Sequence, residues 1–230
     1  MSWLTRSLSS SVGKKLLMAL SGLFFILFLT GHVIGNTQLF KLDDGEAFNK
    51  YALFMTTNPA IKILSYLTYF SIILHVAYSL LLTRQNKKAR GNVRYAVTNK
   101  SHKTWSSANM ALLGSLILFF LITHLAMYWA KMHGFWGQMP MVEYDGVEYK
   151  DLYALVVESY KSLPMVLFYE VSMLLVGFHL WHAFASAFQT LGLNHKKYTP
   201  FIQALGKGYT VVVCGLFAAM PLFIYFVVNA

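Results

Sequence analysis

Read for its hydrophobic and polar positions, the chain divides into five long stretches free of Asp, Glu, Lys and Arg, at residues 16–40, 63–83, 104–130, 171–195 and 208–230. Each exceeds the roughly 20 residues that a helix needs to cross a bilayer. None alternates with a period of two, which excludes a β-barrel. The shorter run 51–61 does not suffice to span. It ends near Asn58-Pro59, a turn signal that predicts the start of the second span. The predicted helices therefore cover about 16–40, 60–83, 105–130, 165–192 and 208–229, within a single membrane domain over 1–230. The connection between the third and fourth spans is predicted as a loop with partial helix around 152–160. The first span is expected to be retained: its apolar run is too long for a signal peptide, and no A-x-A-like site follows it.

Composition supports lipid as the solvent. Only 12% of the 230 residues are charged and 57% are hydrophobic, against roughly 25% charged in an average soluble protein. One cysteine, Cys214, excludes a disulfide framework, an iron–sulfur cluster and a Cys-based zinc site held by this chain alone. The formal charge of +10 would suggest nucleic acid in a soluble protein, but the bases are sorted by segment. Arg6, Lys14 and Lys15 precede the first span. Arg84, Lys87, Lys88, Arg90, Arg94, Lys100 and Lys103 join the second to the third, and Lys196, Lys197 and Lys207 join the fourth to the fifth. These three segments hold no acid, whereas Asp43, Asp44, Glu46, Glu143, Asp145, Glu148, Asp151 and Glu158 lie in the other connections. The positive-inside rule then predicts a cytoplasmic N-terminus and no nucleic-acid partner. The basic face reads either as that bias alone or as a surface that also docks a partner or lipid phosphates.

Histidines are the unexpected residues in so apolar a chain. Of eight, His102, His133 and His195 fall in loops or at the interface, while His32, His75, His124, His179 and His182 fall within spans. Imidazoles are costly in hydrocarbon and mark metal sites or polar pathways. Counting about 1.5 Å of rise per residue from the inner boundaries, His32 and His124 belong to an outer layer. His75 and His179 belong to an inner layer roughly 15 Å away. Two imidazoles at one depth on different helices are what bis-histidine haem ligation requires, and a four-helix bundle is a usual container. His182 shares a helix face with His179, so only one of them can be axial; the other could meet a propionate. Ser21, Lys103 and Trp105 are further propionate candidates. Gly22 and Gly114, ten residues before the outer-layer histidine of their helices, and Ser65, ten before His75, read either as close approaches to a porphyrin or as ordinary helix packing. Trp129, Trp136 and Tyr128 read as an interfacial aromatic belt. No Walker loop, dinucleotide fingerprint or nucleophile–base motif occurs.

Several segments resemble a known family. Thr30-Gly31-His32, Leu74-His75, Ile122-Thr123-His124 and, above all, the run Phe-His-Leu-Trp-His-Ala-Phe-Ala-Ser-Ala-Phe-Gln-Thr-Leu-Gly over residues 178–192 resemble the dihaem cytochrome b membrane anchor of succinate dehydrogenase and fumarate reductase. The likeness is to its five-helix, single-subunit branch and extends over essentially the whole chain. It implies an all-α membrane protein in which four helices surround two haems b and a fifth packs outside. His75 and His179 would ligate the inner haem iron, His32 and His124 the outer one; the family register, with Gly192 thirteen residues on, selects His179 over His182.

The resemblance further implies two partners on the cytoplasmic face: a flavoprotein carrying covalent FAD and the dicarboxylate site, and an iron–sulfur subunit. This chain would carry electrons between that iron–sulfur subunit and a quinone, expected to be menaquinone, in a bacterial cytoplasmic membrane, with a dimer of complexes left open. Asn36, Gln38 and Lys41 are quinone-site candidates, with Asp43, Asp44 and Glu46 as proton acceptors; the alternative is a helix cap and solvated turn. In one respect the chain departs from some quinol-oxidising members, which carry a glutamate two residues before the fourth-helix ligand: here that residue is Gly177, and Glu170 lies more than a turn away. Alternative functions are the dihaem anchor of another respiratory dehydrogenase, such as a formate dehydrogenase or hydrogenase, and a proton-coupled transporter with histidine relays.

Overall fold

The computed structural model describes residues 3–91 and 105–229; Arg94, Lys100, His102 and Lys103 lie outside them. The described chain is mostly helical. A short helix α1 (Trp3–Ser9) leads into α2 (Ser11–Asn36), which is extended by a 3₁₀ turn, Thr37–Phe40. Ser10 caps α2 by accepting from the Gly13 amide at 3.0 Å, satisfying one of the donors a helix start leaves free. Next come α3 (Glu46–Thr57) and α4 (Pro59–Arg90). Asn58 caps α4 through the Ala60 amide at 2.9 Å, and Pro59 occupies its first turn, so the turn signal read from the sequence opens this helix. Then α5 (Trp105–Ala108) precedes α6 (Met110–His124), which runs on through a π-helical turn, Leu125–Trp129, into α7 (Ala130–Met132). Strands β1 (Met141–Tyr144) and β2 (Val147–Lys150) form an antiparallel hairpin, followed by α8 (Leu152–Ser159), α9 (Leu163–Thr190) and α10 (Thr199–Phe223), the last extended by the turn Ile224–Val228.

Five helical segments, Ser11–Phe40, Pro59–Ala89, Met110–Met132, Leu163–Thr190 and Thr199–Val228, are long and apolar enough to cross a membrane. They indicate a multi-pass membrane protein. The first and fifth start earlier than charge-free runs suggest, at Ser11 rather than 16 and at Thr199 rather than 208. Lys14, Lys15 and Lys207 sit inside those helices, because long basic side chains ride on a helix end while their ammonium groups reach water. The all-α expectation is corrected by the hairpin, whose two-residue turn, Asp145 (φ 53°) and Gly146 (φ 77°), has the left-handed backbone that tight hairpins require. The predicted helix near 152–160 is α8.

Helices α2 and α9 form the spine. They pack on each other, α4 lies on α2, α6 lies on α9, and α10 covers both α9 and α2; α4 and α6 meet only slightly. The buried apolar core lies toward one end of this array, where Val33 and Leu39 meet Phe48, Val156, Tyr160, Val166, Tyr169, Met220 and Ile224. That end carries a cap built from α3, the hairpin and α8. Its centre is Asn49, only 1% exposed. The Asn49 amide donates to Asp151 Oδ1 at 2.9 Å and to the Tyr144 hydroxyl at 3.2 Å, and its oxygen accepts from the Tyr153 amide at 3.0 Å. Two glycines let aromatic rings close on the chain: the Tyr51 ring fills the space beside Gly35, and the Tyr153 ring that beside Gly45, whose φ is 81°.

Candidate functional site

Two pairs of histidines meet inside the bundle, one from each of α2, α4, α6 and α9. His32 of α2 faces His124 of α6 with ring centroids 6.0 Å apart. His75 of α4 faces His179 of α9 at 6.5 Å. Two imidazoles bound trans to one metal, at ~2 Å per bond, have centroids about 6 Å apart. The pairs sit at different heights, since His32 lies eleven residues beyond Ser21, which touches His75, a rise of about 16 Å along α2. Each pair is framed by aromatic rings. Phe28 stacks on His32 at 5.3 Å, Phe217 approaches the same ring at 5.5 Å, and Phe120 and Tyr128 approach His124. Phe25 lies edge-on to His75 at 5.4 Å.

Three of these imidazoles have a polar neighbour at Nδ1. His75 Nδ1 lies 3.0 Å from the Ser21 hydroxyl, and His124 Nδ1 lies 3.2 Å from the Tyr169 hydroxyl. The Asn36 amide donates to the His32 carbonyl oxygen at 2.7 Å and comes within 3.4 Å of His32 Nδ1. His179 Nδ1 is buried without a partner among the described residues. Among the described residues no group of three or more His, Cys, Asp or Glu could hold a metal. Two imidazoles are too few for a bare zinc or copper ion. They are a full axial set for an iron whose other four positions belong to a macrocycle.

The remaining sequence candidates separate clearly. His182 lies one turn beyond His179 on α9 and makes no ring contact with the pairs. Ser21 stands behind His75, and Trp105, largely exposed, contacts Phe178 at 5.6 Å. A Cβ on Gly22 would lie 3.9 Å from His75, so this glycine is level with the inner pair; Gly114 has open space beside it. Ser65 returns its hydroxyl to the Ile61 carbonyl oxygen of its own helix. Among the quinone candidates, Asn36 is engaged with His32, while the side chains of Gln38 and Lys41 make no hydrogen bond among the described residues. Asp43 caps the start of α3 through the Gly45 and Ala47 amides, and Glu46 pairs with Lys50. His133 and His195 are in connections, as their positions predict; His133 stacks on Trp129 at 4.5 Å.

Sequence reasoning misses Tyr169. It lies ten residues before His179, the same offset that points to Gly22, Gly114 and Ser65, so the depth rule could have found it. Outside the spans, hydrogen bonds from Lys50 to Glu46 and to Asp145 hold its ammonium above the ordinary lysine range. Burial raises the Tyr160 phenol well above its usual value. Compared with known proteins, the chain matches no family model, no curated protein and no solved structure.

Proposed function

We propose that this chain is the dihaem cytochrome b membrane anchor of a succinate:quinone oxidoreductase, with four helices around two haems b and a fifth packed outside. The observation that carries this reading is the meeting of four histidines from four helices as two pairs, with centroids 6.0 and 6.5 Å apart. His75 and His179 hold the inner haem, His32 and His124 the outer. When bound, the two haems supply one-electron carriers between an iron–sulfur subunit and a quinone.

The chain's own residues position the ligands and keep water out. Phe25, Phe28 and Phe217 pack against the imidazoles, which limits their rotation and leaves the surroundings apolar. The basic segments put the N-terminus on the cytoplasmic side of a bacterial inner membrane. Arg84, Lys87 and Lys88 then lie on the face where the iron–sulfur subunit and the FAD-bearing flavoprotein dock. The quinone, menaquinone in this reading, binds toward the outer pair, where Gln38 and Lys41 are free to meet a carbonyl oxygen.

Purified protein should give a reduced-minus-oxidised spectrum with two b-type components and two haems per chain. His75→Ala should remove only the inner component and His32→Ala only the outer. Loss of the same component in both variants would refute the two-level assignment, and a wild type without Soret absorption would refute the haem reading in favour of a proton relay.

A further inference from the structure

The hydroxyls behind the histidines follow a crossed arrangement. Helix α2 carries His32 of one pair and, eleven residues earlier, Ser21, which touches His75 of the other pair. Helix α9 carries His179 of the inner pair and, ten residues earlier, Tyr169, which touches His124 of the outer pair. Each spine helix thus supplies an imidazole at one level and a hydroxyl at the other. The two peripheral helices, α4 and α6, supply the imidazoles that those hydroxyls meet.

The Ser21 contact has a direction. A serine hydroxyl has one hydrogen, and Ser21 is within 3.0 Å of the Met18 carbonyl oxygen, which can only accept. Its oxygen is then the acceptor toward His75, so the hydrogen between them belongs to His75 Nδ1. A neutral imidazole protonated at Nδ1 has its lone pair on Nε2, the nitrogen that remains for a metal. A hydrogen-bonded partner of this kind sets the tautomer and ring orientation of a ligating histidine and raises its basicity.

We infer that Ser21 and Tyr169 are positioning residues, each accepting the Nδ1 hydrogen of a histidine on a neighbouring helix, Ser21 for the inner pair and Tyr169 for the outer. The inference rests on the haem reading above and adds an asymmetry to it: His75 is supported from α2, whereas its partner His179 has no Nδ1 partner among the described residues.

The test uses the full-length protein in its membrane complex with three variants, Ser21→Ala, Ser21→Thr and Tyr169→Phe, each scored by haem-to-protein ratio, redox titration of each b component and the low-temperature EPR signal of each. Ser21→Ala should weaken retention of the inner haem about tenfold and raise the potential of that component alone, because a less basic imidazole stabilises ferric iron less. Tyr169→Phe should do the same for the outer component alone. Ser21→Thr keeps the hydroxyl and should restore wild-type behaviour. Loss of only the matching haem also supports the assignment. Unchanged potentials and EPR signals, or equal shifts of both components in each variant, would overturn it. A wild type lacking haem would overturn the functional reading itself, a result distinct from haem-loaded variants that do not differ.

Discussion

The cap and the middle of the bundle treat their polar groups in opposite ways. In the cap, Asn49 is almost fully enclosed yet uses both its donors and its acceptor, and Asp151 serves Asn49 and the Ala154 amide together. Among the described residues, Glu170 Oε1 and His179 Nδ1 are buried without a partner, and both lie in membrane-length helical segments. A buried polar atom left unpaired costs about 1–3 kcal/mol. The cap is therefore complete as it stands, whereas in the bundle His179, one of the facing histidines, keeps a ring nitrogen unpaired among the described residues. Side-chain packing follows the same division: α4 buries only Thr68 and Ser71, and α6 only Leu113, while the apolar core gathers at the capped end. Under the proposed function, stability is concentrated in the cap and ligand-holding in the bundle.

That contrast can be broken by experiment. Asn49→Ala should have the largest effect on stability, about 2–4 kcal/mol, because it removes three hydrogen bonds at an enclosed position and leaves the Tyr153 amide without its acceptor, although Asp151 keeps the Ala154 amide and Tyr144 the Asp44 carbonyl oxygen. Thermal melting and limited proteolysis of the outer loops would read it, with the haem-to-protein ratio expected to stay at the wild-type value. A cap variant that loses haem as readily as stability would erase the distinction. His179→Leu should do the reverse: the inner b component disappears and any change in melting follows the lost haem, while limited proteolysis of the outer loops stays at the wild-type rate.

Lys50→Met should have the smallest effect. The Lys50 ion pairs with Glu46 and Asp145 are largely exposed, and such pairs contribute little. A lysine whose folded-state pKa is raised contributes its stability fully below the unfolded value and loses it only as pH rises through the folded one. Melting of the wild type should therefore show no Lys50-linked change through neutral pH, and the variant should melt with it.

Much of the architecture could be read from residue order. Five apolar runs marked the five membrane-length helices, and Asn58-Pro59 marked the start of α4. The hairpin was also readable, since Asp145-Gly146 between short β-prone runs is a strong turn signal; the acidic, loop-like character of the whole connection conceals it. The starts of α2 and α10 were not legible from charge, because a lysine can belong to a helix and still reach water.

At the candidate site, the helix bearing each histidine and its approximate depth follow from position alone, for a helix rises by a constant amount per residue. Rotation about the helix axis follows no such rule. It is set by side chains from other parts of the chain, as where α9 packs against α2, α6 and α10. The facing of the His32 and His124 rings, which their depths put in one layer, the Ser21 hydroxyl behind His75 and the engagement of Asn36 with His32 are all of this second kind. Residue order determines how deep an imidazole lies, because lipid admits only long apolar helices of fixed rise. Which ring it faces, and which hydroxyl stands behind it, are settled by packing between helices far apart in the chain.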